Sequence, residues 1–168
     1  MSIPTETRKA IREAFGYCCG YCGVAEIHVG SELEVDHFRP LTHGGTNDLD
    51  NLIYACSACN RFKADYWPEE DDPDSFYLLH PAEDEMSNHL TLVNDGHFVG
   101  LTPRGWFHIQ WLHLNRPQLI SWRLTQQKEA TLLAIVEQGE ITRHRLQIRI
   151  RELEREVAEL QEVIARLL

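Results

Sequence analysis

Four of the five cysteines form two close pairs, Cys19 with Cys22 and Cys56 with Cys59, and two residues separate the members of each pair. Thiolates at this spacing are typical ligands of a tetrahedral structural zinc, and two pairs supply all four ligands. A redox dithiol or buried small hydrophobic residues are the alternatives, but neither explains why the spacing occurs twice. The sequence therefore predicts a zinc site with four cysteine ligands. Cys18 is expected to be an idle thiol, because as a ligand in place of Cys19 it would have a poorer spacing.

Polar side chains suited to hydrolytic chemistry lie between and beside these pairs. Asp36 and His37 are adjacent, and Asn51 and Asn60 follow them. Neighbouring side chains of a regular strand point to opposite faces, so Asp36 and His37 can share a site only if the strand ends or bends there. The proline at position 40 favours such an end.

The stretch "VDHFRPLTHGGTNDLDNLIYACSACNRFKAD" resembles the motif of the HNH endonucleases, the ββα-metal nuclease fold, in the subgroup braced by a four-cysteine zinc. The resemblance covers residues 16–66. An Asp-His pair, a Gly-Gly loop, Asn-Leu, Cys-x-x-Cys-Asn and a trailing lysine occur in the order typical of the family.

This resemblance implies a role for each polar residue. His37 is the general base that deprotonates water, Asp36 and Asn60 are ligands of a catalytic divalent ion, and Asn51 braces the loop and orients the imidazole. Asn60 stands where the name of the family expects a final histidine, so this is an H-N-N variant. An amide oxygen is a hard ligand, which favours Mg²⁺ or Mn²⁺.

Three further side chains are candidates for contact with a substrate. Arg61 and Lys63 lie on the helix that is expected to begin here, and we expect Lys63 to meet a phosphate. Both could instead be solvated helix charges. His43 lies in the glycine-rich loop, where it could touch the substrate or simply be exposed.

The segment "FYLLHPAEDEMSNHLTLVNDGHFVGLTPRGWFHIQWLHLNRPQLISWR" resembles the tail of a bacterial HNH group, in which an Asp-Gly hairpin and a "LNRPxLxxxR" helix follow the nuclease motif. Some members of that group are encoded with ATPase partners in phage-defence systems. The resemblance therefore implies an ATPase as a candidate partner and phage defence as a candidate pathway.

The elements that must position these residues follow from apolar spacing and turn signals. An opening helix is predicted over residues 5–15, strands at "ELEVDHF" and "NLIYA", and a helix from 60 to 66. Further strands are predicted at "FYLLHP", "HLTLV" and "HFVGL", with an Asp-Gly turn between the last two. The stretch "GWFHIQWLHLN" fits either strand or helix. Helical pattern runs from Pro117 to about residue 138 and resumes at about residue 141, around Gly139.

These elements predict an α+β fold. It comprises a small ββα-metal nuclease core braced by a four-cysteine zinc site, a β-hairpin and helix extension, and a long C-terminal helix. The corresponding domains are residues 1–66, residues 67–124 with an acidic loop over 67–75, and residues 125–168.

Bulk properties narrow the class of protein. The chain has 168 residues and a net charge of −10, and residues 66–100 alone carry nine acidic and no basic residues. An acidic balance is unusual for a protein that binds nucleic acid. No apolar run is long enough to span a bilayer, and no secretory signal is recognisable, so we expect a cytoplasmic protein with reduced thiols.

The C-terminal segment shows a heptad repeat. Leu146, Leu153, Leu160 and Leu167 are seven residues apart, and Ile150, Val157 and Ile164 lie between them. Leucine at d and β-branched residues at a favour a parallel two-stranded coiled coil, which predicts a homodimer from about residue 143. The alternative is an amphipathic helix that folds back on its own domain.

The sequence favours a metal-dependent endonuclease that cuts phosphodiester bonds, with DNA favoured over RNA. A zinc-braced module that binds nucleic acid or protein without catalysis is the first alternative, and the acidic charge would suit it. A coiled-coil scaffold that partners an ATPase is the second. A module that only binds needs none of Asp36, His37 and Asn60, so their joint presence favours the enzyme.

Overall fold

The structure is a computed structural model, and it describes residues 3–68 and 76–167. Residues 69–75, most of the predicted acidic loop, lie outside the described residues. The chain divides into two compact units, Met1–Leu124 and Thr125–Leu168.

The first unit begins with helix α1, Thr5–Ala14, which buries Ile11 and packs against the second strand described below. A short helix, α2, follows at Glu26–Val29. The guanidinium of Arg12 donates two hydrogen bonds of 2.7 Å to the Glu26 carboxylate. This paired contact joins the two helices. The span of α1 confirms the predicted opening helix.

A ββα unit forms the centre of the first unit. Strands β1, Glu34–His37, and β2, Leu52–Ala55, are antiparallel, and their register pairs Asp36 with Ile53. All four residues of β2 are buried, as expected for a strand covered on both faces. Helix α3, Ser57–Lys63, follows at once. It begins three residues before the predicted start, because the second Cys-x-x-Cys pair itself forms its cap and first turn.

The hairpin and helix that follow resolve one ambiguity. Strands β3, Leu90–Leu92, and β4, Phe98–Gly100, form the predicted antiparallel hairpin. Helix α4, Pro103–Trp111, occupies the stretch that fitted either strand or helix. The Thr102 side chain caps it by accepting a 3.0 Å hydrogen bond from the Gly105 N–H. A threonine before a proline is a helix start signal that the sequence already carried.

The strand predicted at "FYLLHP" is wrong. Residues 76–80 pair with side chains instead of a neighbouring strand: the Leu79 N–H donates to His108 Nδ1 at 3.0 Å, and the Leu78 carbonyl accepts from Arg104 at 2.6 Å. Buried backbone groups need partners, and here side chains of α4 supply them. Leu78 and Leu79 are buried, so the apolar pattern predicted the burial of this segment correctly but not its backbone conformation.

Helix α5 runs without a break over Pro117–Leu167, so the predicted interruption at Gly139 is wrong. A single glycine costs a helix interior only about 1 kcal/mol relative to alanine, and the flanking residues are good helix formers. Among residues 3–68 and 76–167, no helix combines the length and the apolar character that a membrane span needs, and α5 is no exception.

The predicted fold class is confirmed. The protein is α+β, with a small ββα unit beside a cluster of four cysteines, a β-hairpin and helix extension, and a long C-terminal helix.

Candidate active site and four-cysteine cluster

The four paired cysteines come together as the sequence predicted. Cys19 and Cys22 lie on a turn after α1, and Cys56 and Cys59 lie at the start of α3. All four are buried, and their Sγ atoms lie within 4.8 Å of one another. Four sulfurs at about 2.3 Å from a tetrahedral zinc would be about 3.8 Å apart. The Cys22 and Cys56 Sγ atoms are 3.8 Å apart, so the cluster has the size that Zn²⁺ requires.

Arg116 lies against this cluster. Its guanidinium is within 3.6–3.8 Å of the Cys56 and Cys59 sulfurs, and it also donates to the Leu112 and His113 carbonyls. Four thiolates around a divalent ion leave a net negative charge, which a neighbouring guanidinium stabilises. Arg116 begins the Arg-Pro step before α5, and no pattern in the sequence linked it to the cysteines.

A shallow pocket of about 330 Å³ gathers three of the predicted site residues. Asp36 and His37 line it from the end of β1, and Asn60 lines it from α3. The α3 helix packs against β1, which brings the amide and the imidazole to the same side. Asp65, just after α3, also lines this pocket.

The loop between β1 and β2 positions His37. Its Nε2 lies 2.8 Å from Asn47 Oδ1. An amide oxygen can only accept, so Nε2 carries the hydrogen, and the lone pair of the imidazole is on Nδ1.

Asn51 holds the loop rather than the imidazole. Its side-chain amide donates to the Arg39 and Thr46 carbonyls at 3.1 and 2.8 Å, and its oxygen accepts from the Arg39 N–H at 2.8 Å. A side chain at Gly45 would lie 1.9 Å from the Arg39 carbonyl, so the second glycine of the Gly-Gly pair is required for this close approach. The hydrogen bonds of Asn51 thus go to the loop backbone, whereas the contact to His37 comes from Asn47.

The segment that contains these residues is similar to a known family. Residues 19–65 match the family model described as HNH endonuclease. This segment, from the first paired cysteine to just after α3, is therefore similar to the HNH domain of these nucleases.

Two curated proteins are similar to this chain. Septu protein PtuB of Bacillus mycoides (strain KBAB4) is 29% identical over 154 residues, covering 74% of this chain and 52% of PtuB. YoqL of Bacillus subtilis (strain 168), which is SPbeta prophage-derived and is named as an HNH endonuclease, is 37% identical over 65 residues, 35% of this chain and 28% of YoqL. The chain therefore spans about half the length of one relative and less of the other. No solved structure matches it.

Asp36, within the matched segment, is 7% exposed, and its carboxylate contacts two side chains. Its Oδ2 accepts a 2.7 Å hydrogen bond from the Tyr21 hydroxyl, and the Lys63 ammonium lies 3.2 Å from the carboxylate. Burial raises the pKa of Asp36 above its ordinary value, against the opposing effect of Lys63. A carboxylate offers about four lone-pair positions, so these contacts leave room for a cation on the pocket side.

The expectation that Lys63 meets a phosphate does not hold in this structure. Its side chain is 1% exposed and donates to Asp36 and, at 2.7 Å, to the His37 carbonyl. Burial lowers the pKa of this ammonium. Lys63 therefore holds the end of β1 in place from the interior of the fold. Its buried ammonium is not exposed to a phosphate at the surface.

The other two predicted contact residues do not line the His37 pocket. Arg61 faces a separate, more apolar pocket together with Arg116 and Trp122. His43 lies in a single 3-10 turn, where its carbonyl accepts a 2.6 Å hydrogen bond from Arg39 Nε. The structure brings Asp36, His37 and Asn60 together and leaves Arg61 and His43 apart from them.

Proposed function

We propose that this chain is a metal-dependent endonuclease that hydrolyses phosphodiester bonds, with DNA as the favoured substrate. The observation that carries the proposal is the pocket of the HNH domain that gathers Asp36, His37 and Asn60. One imidazole with an available nitrogen and two oxygen ligands are what metal-assisted hydrolysis requires.

His37 acts as the general base in this proposal. Its Nε2–H is held by Asn47, so Nδ1 is the atom that accepts the proton of the attacking water. Asn51 supports this geometry indirectly, because it holds the loop that carries Asn47.

Asp36 and Asn60 would hold the catalytic ion. Both line the pocket and carry side-chain oxygens, and oxygen ligands suit Mg²⁺ or Mn²⁺. When bound, such an ion supplies positive charge for the scissile phosphate and the departing 3′-oxygen. The four cysteines would hold a separate, structural Zn²⁺, because a closed set of four thiolates leaves no open position for substrate.

The same proposal includes a homodimer and an ATPase partner. The heptad repeat of α5 supports a homodimer, which would carry two HNH sites. Similarity to Septu protein PtuB and to the tail of the bacterial HNH group supports an ATPase partner and a role in phage defence. Such a protein would act in the cytoplasm, where its thiols stay reduced.

A cleavage assay tests this function. Purified protein is incubated with plasmid, single-stranded DNA and RNA in Mg²⁺ or Mn²⁺, beside His37→Ala. We expect the wild type to cut DNA and His37→Ala to lose nearly all activity, with unchanged zinc content. Cutting that persists in His37→Ala would show that another site or a contaminant is responsible.

A binding module without catalysis is the second candidate. The contact of Lys63 with Asp36 favours it, since the ammonium occupies one side of a proposed metal ligand. The two functions predict different results in the cleavage assay. No cleavage of any substrate in either metal, with binding retained, would favour the binding module.

A further inference from the structure

The positive charges of the first unit are mostly committed to internal contacts. Residues 1–124 contain nine lysines and arginines. Six of them contact a carboxylate, a thiol or a backbone carbonyl through short polar contacts. These six are Arg12, Arg39, Lys63, Arg104, Arg116 and Arg123. The first unit thus has only three cations left for an anionic ligand.

Arg8 and Lys9 of α1 are two of the remaining three cations, and Arg61 is the third. Both Arg8 and Lys9 are exposed. Within residues 3–68 and 76–167, Arg8 has no carboxylate partner, and Lys9 has only Glu13 at 4.0 Å, with both side chains more than half exposed. Such an exposed pair contributes little, so the Lys9 ammonium is available as well.

These two cations border the proposed active site. They line a groove of about 260 Å³ with Val35 of β1 and with Leu33, just before that strand. Arg12 and Glu32 also line this groove, and they pair with each other at 3.0 Å. Val35 also lines the pocket that contains His37. Val35 and His37 are two residues apart on a strand, which corresponds to about 7 Å. The groove and the pocket therefore meet along one edge of β1.

We propose that Arg8 and Lys9 bind the phosphate backbone of the nucleic acid next to the bond that is cut. The proposal rests on the nuclease function proposed above. A strand whose scissile phosphate lies at His37 must continue across a neighbouring surface, and its flanking phosphates need cations there. Asp65 makes one side of the pocket acidic, whereas the side across Val35 leads to Arg8 and Lys9.

Charge reversal tests this surface in the full-length protein. Arg8→Glu/Lys9→Glu is compared with Arg145→Glu/Arg151→Glu, which makes the same charge change at exposed positions of α5 outside the heptad seam. Both are made in the His37→Ala background, so that the probe stays intact. Binding of fluorescein-labelled single-stranded and duplex oligonucleotides is followed by anisotropy over a salt series, with polyglutamate as a competitor.

We expect Arg8→Glu/Lys9→Glu to bind about tenfold more weakly, and the slope of log affinity against log salt to fall by about one for each lost phosphate contact. The α5 control should keep the slope, and an Arg8→Lys/Lys9→Arg exchange should keep the affinity. In the background with His37 intact, cleavage should fall in parallel with binding.

Three outcomes would overturn the proposal, and they are distinguishable. If the wild type cuts DNA but both charge-reversal variants bind alike, the assignment of Arg8 and Lys9 fails and the nuclease function stands. If the wild type neither binds nor cuts any nucleic acid, both proposals fail. If polyglutamate displaces the oligonucleotide at equal charge concentration, the surface binds an acidic polypeptide rather than a phosphate backbone.

Discussion

At the residue scale, two asparagines of the loop between β1 and β2 make different contacts. Asn47 contacts the His37 imidazole, while Asn51 makes three hydrogen bonds to the loop backbone. The first contact sets the orientation of the base, and the second set maintains the fold of the loop. Substitution of each should therefore affect a different property.

Asn47→Ala is expected to lower kcat by roughly 10–100-fold, because a misoriented base loses catalytic alignment. Its free energy of unfolding should change by less than about 0.5 kcal/mol, since the contact is exposed. Asn51→Ala should instead lower the free energy of unfolding by about 1–2 kcal/mol. Steady-state kinetics and urea unfolding check both. Full activity in Asn47→Ala would show that Asn47 does not orient His37, and Asn51 would again be the candidate for that role.

The two proposed metals should separate by substitution. Cys56 is one of the four cysteines that join the turn after α1 to the start of α3. Because a structural zinc stabilises the fold, Cys56→Ser should leave little soluble folded protein. Asn60→Ala should fold, keep one zinc per chain and lose most activity, because Asn60 lines the His37 pocket and is not one of the four cysteines of the zinc site. Zinc analysis and circular dichroism give the readout. Unfolding of Asn60→Ala would contradict the division into a structural and a catalytic ion.

At the element scale, the segment before the hairpin is fixed by side chains of α4. His108 is buried, and its Nδ1 accepts the Leu79 N–H, so this nitrogen must stay unprotonated in the folded protein. Burial, assisted by the charge of Arg104, lowers the pKa of His108 from 6.5 to about 3. Protonation would therefore break the contact that replaces a strand partner.

This contact predicts a pH dependence of stability. Between pH 6.5 and about 3 the unfolded chain binds a proton at His108 that the folded chain does not, so stability falls as the pH drops through this window. The full loss is on the order of 5 kcal/mol. Urea unfolding at pH 7 and pH 5 measures the part of it that falls between these two values.

His108→Gln provides the test of that cause. Its side-chain oxygen can still accept the Leu79 N–H, but it does not titrate. The loss of stability between pH 7 and pH 5 should shrink relative to the wild type, whereas the exposed His144→Gln should behave like the wild type. Equal pH dependence in all three proteins would refute this role of His108. Acid release of zinc affects all three alike, so the comparison stays valid.

At the scale of the whole molecule, the second unit exposes an apolar seam. The seven heptad residues from Leu146 to Leu167 have exposed fractions of 43–81%. In the single chain, Arg149 pairs with Glu152 on its own helix at 3.1 Å. In a parallel dimer it would occupy a g position opposite Glu154 at the following e position, an attractive pair across the interface.

We therefore expect a homodimer by light scattering. Leu153→Glu at a d position should give a monomer, whereas Ala158→Glu, the same charge change at an outer position, should not. Removal of residues after about 140 should also give a monomer, and this variant should nick plasmid more than it linearises it, because one site cuts one strand at a time. Full-length protein that stays monomeric at concentrations at which short coiled coils dimerise would refute this assembly.

The sequence by itself determined the features that depend on local spacing. The paired cysteines, the hairpin around its Asp-Gly turn and the heptads of α5 are all short-range patterns. Such patterns report residue chemistry and helical or strand period directly. The fold class and the four-cysteine cluster were predictable for this reason. The grouping of Asp36 and His37 with the distant Asn60 came instead from the resemblance to HNH endonucleases.

Only the tertiary structure decided which side chains meet across the fold. The contact of Lys63 with Asp36 spans 27 residues, that of Arg116 with Cys59 spans 57, and that of His108 with Leu79 spans 29. No local pattern encodes such separations, because they result from the packing of α3 on β1 and of α4 and the first turns of α5 against the ββα unit. Lys63 therefore looked like a surface cation in the sequence, and its burial against Asp36 emerged only from the fold.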